Sequence, residues 1–246
     1  MSRSISPSAQ YTVADQARMT LAARYFRWQS RLAEAELGPR VLEVGCGLGN
    51  FTSWLLNRRL VVAVDVEPQC VEILRERFAG ADNLIALETS VESKSFLDLA
   101  KHDVDSIVCL NVLEHIENDQ VALHNMHAVL PDGGKVVLLV PAFESLYGPI
   151  DRNLGHYRRY SKKSLTAVAA SAGFQPVKLR YMNSIGCVGW WLNAHVLKKT
   201  EQSELQIRVF DRVLVPVLSA VEGLVEPPFG QSIFAVFRKS GNGWKR

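Results

Sequence analysis

Five short apolar runs in the first two thirds of the chain constrain its fold more than any other feature. They are RVLEV (40–44), LVVAVDV (60–66), NLIALE (83–88), DSIVCLNV (105–112) and GKVVLLVPA (134–142). None alternates strictly between apolar and polar residues, which is typical of strands buried on both faces of a parallel sheet. Helix-length segments at 51–57, 68–78 and 119–130 separate some of these runs. Strand alternating with helix predicts an open, doubly wound α/β sheet with right-handed crossovers.

The flanking segments add helices and two further strands to this sheet. Residues 14–37 have apolar side chains at helical spacing, and Gly38 and Pro39 end that predicted helix. After residue 141, a loop leads into a helix that Ser161 caps and Gly173 ends. The runs VKLRYM (177–182) and SIFAVFRK (232–239) are predicted strands. Between them, residues 183–230 form an insertion rich in Trp, Leu and Val, with two predicted helices.

Composition and charge exclude several classes of protein. The net charge of +3, from 28 basic and 25 acidic residues, is too small to indicate a nucleic-acid binder. Four cysteines without CxxC pairing or zinc-like spacing predict reduced thiols in a cytosolic protein. The N-terminus lacks an apolar core of signal-peptide length, and the most apolar stretch, SIGCVGWWLNAHVL, is too short to span a bilayer.

A glycine loop follows the first predicted strand, in the sequence VLEVGCGLGNFT (41–52). Dinucleotide-binding loops have the pattern GxGxxG, and Asn50 stands where a dehydrogenase needs Gly or Ala. The chain contains no GxxxxGK[ST] sequence, which excludes a P-loop. Asp65, about 20 residues on, ends the second strand, where a carboxylate accepts both hydroxyls of a ribose. The loop therefore favours a nucleoside ligand, and the alternative is a tight strand-to-helix turn without a ligand.

Four motifs in order resemble the class I S-adenosylmethionine-dependent methyltransferases. They are VLEVGCGLGN, VVAVDVEP, DSIVCLNVLEHIEND and LPDGGKVVLLVPA, and together they cover roughly residues 40–141. The resemblance implies a Rossmann-like seven-stranded sheet whose last strand returns antiparallel between the fifth and sixth. It also implies S-adenosyl-L-methionine as the cofactor. We predict one domain over 1–246, with an N-terminal helical cap (1–39), a cofactor-binding half (40–141) and a substrate-side half (142–240).

The resemblance assigns cofactor contacts position by position. It implies that the loop lines the methionine and ribose part of the cofactor and that Asp65 binds the ribose diol. Val66 then flanks the adenine, Ser90 or Val91 lies beside it, and Asn111 faces the methionyl end. The loop residues concerned are Glu43, Gly45, Cys46, Gly47 and Gly49, and for Cys46 the backbone is the expected contact.

Two segments contain candidate catalytic residues. Glu114 and His115 follow the fourth strand, near the sulfonium in the implied fold, and some related quinone O-methyltransferases carry a Glu-His pair in this region. His156 lies in YGPIDRNLGHYRRYS after the fifth strand and is able to act as a base near neutral pH. The alternative for Glu114 and His115 is a purely structural role in hydrogen bonding. No metal site is predicted, because a metal would need further carboxylates.

The segment around GHYRRY also suggests substrate contacts. Tyr157, Arg158 and Arg159 are predicted to bind the acceptor, since guanidinium forks suit phosphate or carboxylate groups. Trp190 in the insertion is a fourth candidate. The segment resembles a bacterial subgroup of these methyltransferases that is often found beside glycosyltransferases using lipid-linked sugars. For the arginines, the alternative is a basic loop that is exposed to solvent. For the tryptophans of the insertion, the alternatives are a role in the core, a lid over the site or a peripheral contact with a membrane.

The predicted function is methyl transfer to an oxygen or nitrogen of a small molecule, possible acceptors being a saccharide or a lipid-linked saccharide. An aromatic or quinone-like acceptor is the alternative. Two rivals are a nicotinamide dehydrogenase and a non-catalytic binding module with the same fold. A nucleic-acid acceptor is not predicted, because LNVLEH replaces the Asn/Asp-Pro-Pro-aromatic loop that holds a flipped base in amino-methylating relatives. The oligomeric state is left open.

Overall fold

A seven-stranded sheet forms the centre of the computed structural model, which describes residues 16–197 and 203–240. The strands are β1 (Arg40–Val44), β2 (Leu60–Asp65), β3 (Leu84–Glu88), β4 (Ser106–Leu110), β5 (Lys135–Pro141), β6 (Phe174–Met182) and β7 (Ser232–Lys239). Their order in the sheet is β3-β2-β1-β4-β5-β7-β6. The first five strands pair in parallel, and β7 pairs antiparallel with both β5 and β6. The predicted doubly wound, Rossmann-like sheet with an antiparallel last strand is confirmed.

Eight α-helices are described around the sheet. They are α1 (Ala23–Glu34), α2 (Pro68–Arg77), α3 (Asp119–Val129), α4 (Pro149–Asn153), α5 (Lys162–Ser171), α6 (Ser184–Trp191), α7 (Glu204–Val209) and α8 (Val215–Leu224). The insertion adds two π-helical turns, Leu192–Val196 after α6 and Phe210–Leu214 between α7 and α8. As predicted, Ser161 caps α5 by accepting the backbone N–H of Ser164, and Gly173 follows it at a φ of 90°.

The two faces of the sheet have separate apolar cores, which explains the unbroken apolar runs. In β1, Leu42 packs on one face and Val41 on the other, so both faces need apolar side chains. The first core contains Leu123 from α3 and Leu165 from α5. The second contains Trp28 from α1 and side chains of α7 and α8. The insertion and the N-terminal helix thus cover one face together.

Two predicted helices differ from the structure. The segment 51–57 forms a 3₁₀ turn at Thr52–Trp54 instead of an α-helix. Ten residues separate Gly49 from β2, and in that stretch the hydroxyl of Thr52 turns inward and donates to Glu43. The predicted helix over 14–37 is interrupted near Thr20, whose hydroxyl donates to the carbonyl of Ala17 and closes a short helical turn before α1. Residues 14 and 15 lie outside the described residues.

A helix that crosses a bilayer must be both long and apolar. In residues 16–197 and 203–240, no helix combines the length and the apolar character that crossing a membrane requires.

Candidate functional site

A cavity of about 510 Å³ opens at the carboxyl ends of β1, β2, β4 and β5. This is the edge of an open parallel sheet where ligands bind, because the loops that follow neighbouring strands converge there. The wall includes most of the predicted site residues, namely Glu43, Gly45, Cys46, Asp65, Val66, Ser90, Val91, Asn111, Glu114, His115, His156, Arg159 and Trp190. The structure therefore brings the predicted cofactor residues and the predicted catalytic residues to one cavity.

The glycine loop turns sharply at the end of β1. Gly45 has a φ of 76°, and a Cβ built on it would lie 2.2 Å from Cγ2 of Val112. Only glycine meets both conditions without strain. The amides of Gly45 and Cys46 both donate to the carbonyl of Val64, at 2.8 and 3.0 Å, which holds the loop against β2.

Gly47 and Gly49 contribute to the packing and hydrogen bonding of the glycine loop. The described cavity wall contains neither of them. The missing side chain of Gly49 leaves room for Leu74 and Phe78 of the α2 region, whose carbon atoms would lie 2.4 and 2.6 Å from a Cβ. Gly49 thus allows close packing of the loop on α2, and Gly47 donates to Asp65; the cofactor contacts at these two glycines stay predictions.

Asp65 anchors the loop from the end of β2. Its Oδ2 accepts the amide of Gly47 at 2.8 Å, and its Oδ1 accepts the amide of Glu67 at 3.0 Å. Burial raises the pKa of Asp65, and these amide bonds oppose that rise. Each carboxylate oxygen keeps a second lone pair for a ligand in the cavity.

Glu43 lies beneath the loop and bonds to the 3₁₀ turn. Its Oε2 accepts the hydroxyl of Thr52 at 2.6 Å. Burial raises the pKa of Glu43 to about 8, against the Thr52 bond, which lowers it. A cationic ligand in the cavity would favour the ionised form of this carboxyl.

The loops after β2, β3 and β4 complete the cofactor side of the cavity. Val66 is 65% exposed, although an apolar residue prefers burial, which suits a residue that covers a flat ring. The carbonyl of Val91 is held by Nδ2 of Asn125 at 2.8 Å. Asn111 has a φ of 54°, a left-handed conformation that a non-glycine residue seldom adopts, and its amide donates to Leu139 at 2.8 Å.

Glu114, His115 and His156 meet at the other end of the cavity. The sequence separated them into two segments, and the loop after β5 brings His156 against the turn after β4. The two imidazole rings lie edge to face with centroids 4.6 Å apart. One oxygen or ring nitrogen from each of the three residues lies within 4.8 Å of the others, a spacing at which they could share a cation. The sequence prediction of no metal did not consider this convergence.

Burial controls the charges of this cluster. It raises the pKa of Glu114 to about 7 and lowers the pKa of His115 to about 4. The Oε2 atom of Glu114 is buried and lacks a hydrogen-bond partner within the described part of the chain. Burial thus favours the neutral form of both side chains.

Asp151 is a buried carboxylate that the sequence analysis missed. Its Oδ1 accepts Nδ1 of His156 and Nε of Arg159, both at 2.8 Å. Its Oδ2 accepts the amide of Gly148 at 2.9 Å and Nε1 of Trp190 at 3.3 Å. The local signal was the Gly-Pro pair at the start of α4 with an acid three residues after the cap, which is typical of a capped helix.

The four predicted acceptor contacts divide into two pairs. Arg159 and Trp190 line the cavity, with the guanidinium of Arg159 stacked 4.7 Å from the indole centroid. Tyr157 and Arg158 do not belong to the described wall. Tyr157 is more than half exposed, and Nη1 of Arg158 pairs with Oδ2 of Asp119 at 2.8 Å. Tyr157 therefore faces solvent and Arg158 faces Asp119, and neither side chain lines the cavity.

Residues of the N-terminal segment form one wall of the cavity. Tyr25 of α1 lines it, whereas Trp28 lies in the core. Residues that the sequence analysis did not name also contribute to the wall: Gln16, Met19, Phe26, Gln29, Leu154, Gln231 and Ser232. Phe26 and Gln29 belong to α1; the others lie before α1, after α4 and at the start of β7, where no sequence pattern marks them as site residues.

Comparisons with known proteins agree with this geometry. The family described as "Methyltransferase domain" matches residues 17–179. A ubiquinone biosynthesis O-methyltransferase of Xanthomonas oryzae pv. oryzae is 24% identical over 188 residues, which cover 70% of this chain and 76% of the relative. A probable ribosomal RNA small subunit methyltransferase A of Methanosarcina mazei is 32% identical over 93 residues, but the match spans 34% of each protein.

Solved structures share the fold at low sequence identity. The N-methyltransferase NodS of Bradyrhizobium japonicum, solved with S-adenosyl-L-homocysteine, is 16% identical. It superposes with a TM-score of 0.54 over 97% of this chain and 90% of that protein.

Proposed function

Because the chain belongs to the methyltransferase domain family, we propose that it methylates an oxygen or nitrogen atom of a small, largely apolar acceptor. It is an S-adenosylmethionine-dependent methyltransferase with the class I fold. The observation that carries the proposal is the single cavity that joins Asp65, at the ribose end, to His156 at the other end.

The cavity residues fit S-adenosyl-L-methionine. Glu43 and Asp65 place two carboxyls beside a glycine turn, which suits a ligand with a cationic sulfonium, an ammonium group and a ribose diol. We assign the diol to Asp65, the adenine to Val66 with Ser90 and Val91, and the methionyl end to Asn111. When bound, this group supplies a methyl that is already activated for in-line displacement.

The residues at the far end of the cavity receive the acceptor and its proton. Alignment and exclusion of water account for most of the rate enhancement that such a transfer needs. His156 faces the cavity with its Nδ1 bound to Asp151, so its Nε2 is the nitrogen available to the acceptor. His115, kept neutral by burial, and Glu114 form the wall beside it. In this proposal a base is needed only when the nucleophile arrives protonated.

The surroundings of His156 favour an apolar or aromatic acceptor. Leu154, Trp190 and Phe26 lie in the same wall. The guanidinium groups on which a phosphate-bearing acceptor would depend are engaged, Arg158 by Asp119 and Arg159 by Asp151. The similarity to a ubiquinone biosynthesis O-methyltransferase supports a hydroxylated, quinone-like acceptor. The saccharide and the lipid-linked saccharide stay as predictions to be included in the same screen.

An exposed apolar row on the insertion supports contact with a membrane surface. On the outer side of α7 and α8, residues at every fourth position are exposed and apolar, and they continue to the end of α8: Leu205, Val209, Val213, Val217, Val221 and Leu224. Across the insertion, Trp191 is exposed next to Trp190, which lines the cavity. Rows of this kind bind apolar partners or the lipid interface. We propose that the insertion rests on a lipid surface and that an apolar acceptor enters from it.

An acceptor screen tests the proposed reaction. Purified protein with S-adenosyl-L-methionine should release S-adenosyl-L-homocysteine when a hydroxylated quinone precursor or another phenol is added. Saccharides and lipid-linked saccharides form the comparison arms. Binding of S-adenosyl-L-homocysteine without turnover of any acceptor would favour the non-catalytic module, and binding of NAD in its place would favour the dehydrogenase.

Vesicle co-sedimentation tests the membrane contact. The wild-type chain should sediment with phosphatidylcholine vesicles, and the Val213→Glu/Val217→Glu variant should stay in the supernatant. Arg208→Glu on α7, a charge change at a residue outside the apolar row, is the matched control and should sediment like the wild type. Equal sedimentation of wild type and the double variant would contradict the contact.

A further inference from the structure

Asp151 collects four hydrogen-bond donors on one fully buried carboxylate. The donors are the side chains of His156, Arg159 and Trp190 and the backbone amide of Gly148. They come from the residue that precedes α4, from the loop that follows α4 and from α6 of the insertion. One carboxylate therefore fixes three side chains of the cavity wall relative to one another.

The protonation state of this group determines the tautomer of His156. Burial alone would raise the pKa of Asp151, but the hydrogen bond from His156 and the guanidinium of Arg159 outweigh it and lower that pKa. An ionised carboxylate accepts hydrogen bonds and cannot donate them. Nδ1 of His156, at 2.8 Å from Oδ1, must then carry the hydrogen, so the lone pair of neutral His156 is on Nε2.

We propose that Asp151 is a positioning residue that holds His156 in the Nδ1–H tautomer, so that Nε2 takes the proton of the acceptor. This inference rests on the proposed function. As the acceptor oxygen forms its bond to the methyl carbon, the carbon–sulfur bond breaks, S-adenosyl-L-homocysteine leaves and the acceptor proton passes to Nε2. The carboxylate of Asp151 stabilises the imidazolium that results, as in other Asp–His pairs.

Other charged or titratable groups face His156 from the neighbouring elements. Arg159 shares Oδ1 of Asp151, and Glu114 and His115 approach from the turn after β4. The hydroxyl of Tyr147 donates to the backbone carbonyl of His156 at 2.7 Å. Of these contacts, the bond from Tyr147 supports the same loop without touching the ring, which makes Tyr147 a suitable control.

The first test is the Asp151→Asn variant. An Asn side chain has nearly the same shape but carries no charge, so it neither fixes the Nδ1–H tautomer through a carboxylate nor stabilises the imidazolium. We expect kcat to fall about 10²- to 10⁴-fold, the range for loss of a positioned base, while KM for S-adenosyl-L-methionine changes less than about threefold. Tyr147→Phe should keep kcat within about threefold of the wild type.

The second test needs no change at Asp151. In ¹⁵N NMR spectra of histidine-labelled wild-type protein, the His156 signals are those missing from His156→Gln. For the neutral imidazole the proposal predicts a protonated Nδ1 and an unprotonated Nε2, the same in Tyr147→Phe and no longer favoured in Asp151→Asn. This signature separates a tautomer effect from loss of structure.

Two results would overturn the proposal. One is an Nε2–H tautomer in the wild type, and the other is an Asp151→Asn variant whose kcat stays within about threefold of the wild type. A failure of the proposed function itself would show elsewhere, as a wild-type chain that does not bind S-adenosyl-L-homocysteine in calorimetry. That binding does not depend on the His156 tautomer.

Discussion

Replacing Asp65 by Ala should weaken cofactor binding by roughly two orders of magnitude. The carboxylate lines the cavity and is the group to which we assign the ribose diol. A hydrogen bond to a charged group contributes about 1.5–3 kcal/mol, so two bonds to the diol total at least about 3 kcal/mol. Since about 1.4 kcal/mol corresponds to a tenfold change in Kd, the loss is roughly 100-fold or more.

Isothermal titration calorimetry with S-adenosyl-L-homocysteine and with its 2′-deoxy analogue separates two roles of Asp65. Asp65 also accepts the amide of Gly47, so part of the loss in Asp65→Ala could come from a loosened loop. Loss of the loop bond weakens both ligands equally. Loss of the diol contact removes the preference for the ligand with both hydroxyls. We expect the wild type to prefer the intact ribose about tenfold or more and the variant to show no preference.

Asp82→Ala is the matched control, because Asp82 is an exposed acid in the loop between α2 and β3. It removes the same charge at the surface and should leave both affinities unchanged. An Asp65→Ala variant that binds as tightly as the wild type, or still prefers the intact ribose, would refute the assignment of the diol.

Three further outcomes follow from the geometry. Burial raises the pKa of Glu43 from 4.5 to about 8, so the folded state binds this proton more tightly than the unfolded state does. The stabilisation that results is complete below pH 4.5 and is lost as the pH rises to about 8. Denaturant unfolding should show stability falling by up to about 1.4 kcal/mol per pH unit in that window, and a flatter profile in Glu43→Gln; equal slopes would contradict this. Gly49→Ala should lower stability by about 1–3 kcal/mol in the same assay, since a Cβ would overlap Leu74 at a φ of 80°, whereas Gly80→Ala, with open space around the Cβ, should not. EDTA should leave methyl transfer unchanged; a loss that Mg²⁺, Mn²⁺ or Zn²⁺ reverses would show that the cluster of Glu114 and the two histidines holds a cation.

The strands of the sheet were predictable because a strand that is buried on both faces has an almost continuously apolar sequence. The runs at 40–44 and 232–239 coincide with β1 and β7, since every residue position in a doubly covered strand must be apolar or paired. The structure of segment 51–57 was not predictable, because the length of a segment does not show that Thr52 turns inward toward the buried carboxyl of Glu43.

The cofactor side of the site was predictable from a local motif, and the acceptor side was not. Gly45 and Asp65 lie 20 residues apart, and each occupies the end of a strand whose position follows from the fold. Asp151 acquires its role from His156 and Trp190, which reach it from two other elements. The side chain of Arg158 faces Asp119, 39 residues earlier in the chain, and no local pattern encodes that pairing.

The central claim is that one cavity holds both the methyl donor and His156, which takes the proton from the methyl acceptor. A crystal structure with S-adenosyl-L-homocysteine tests it most directly. The account predicts both ribose hydroxyls within hydrogen-bond distance of Asp65 and the sulfur directed toward the end of the cavity that contains His156. A ribose bound elsewhere, or a sulfur that faces away from His156, would contradict it.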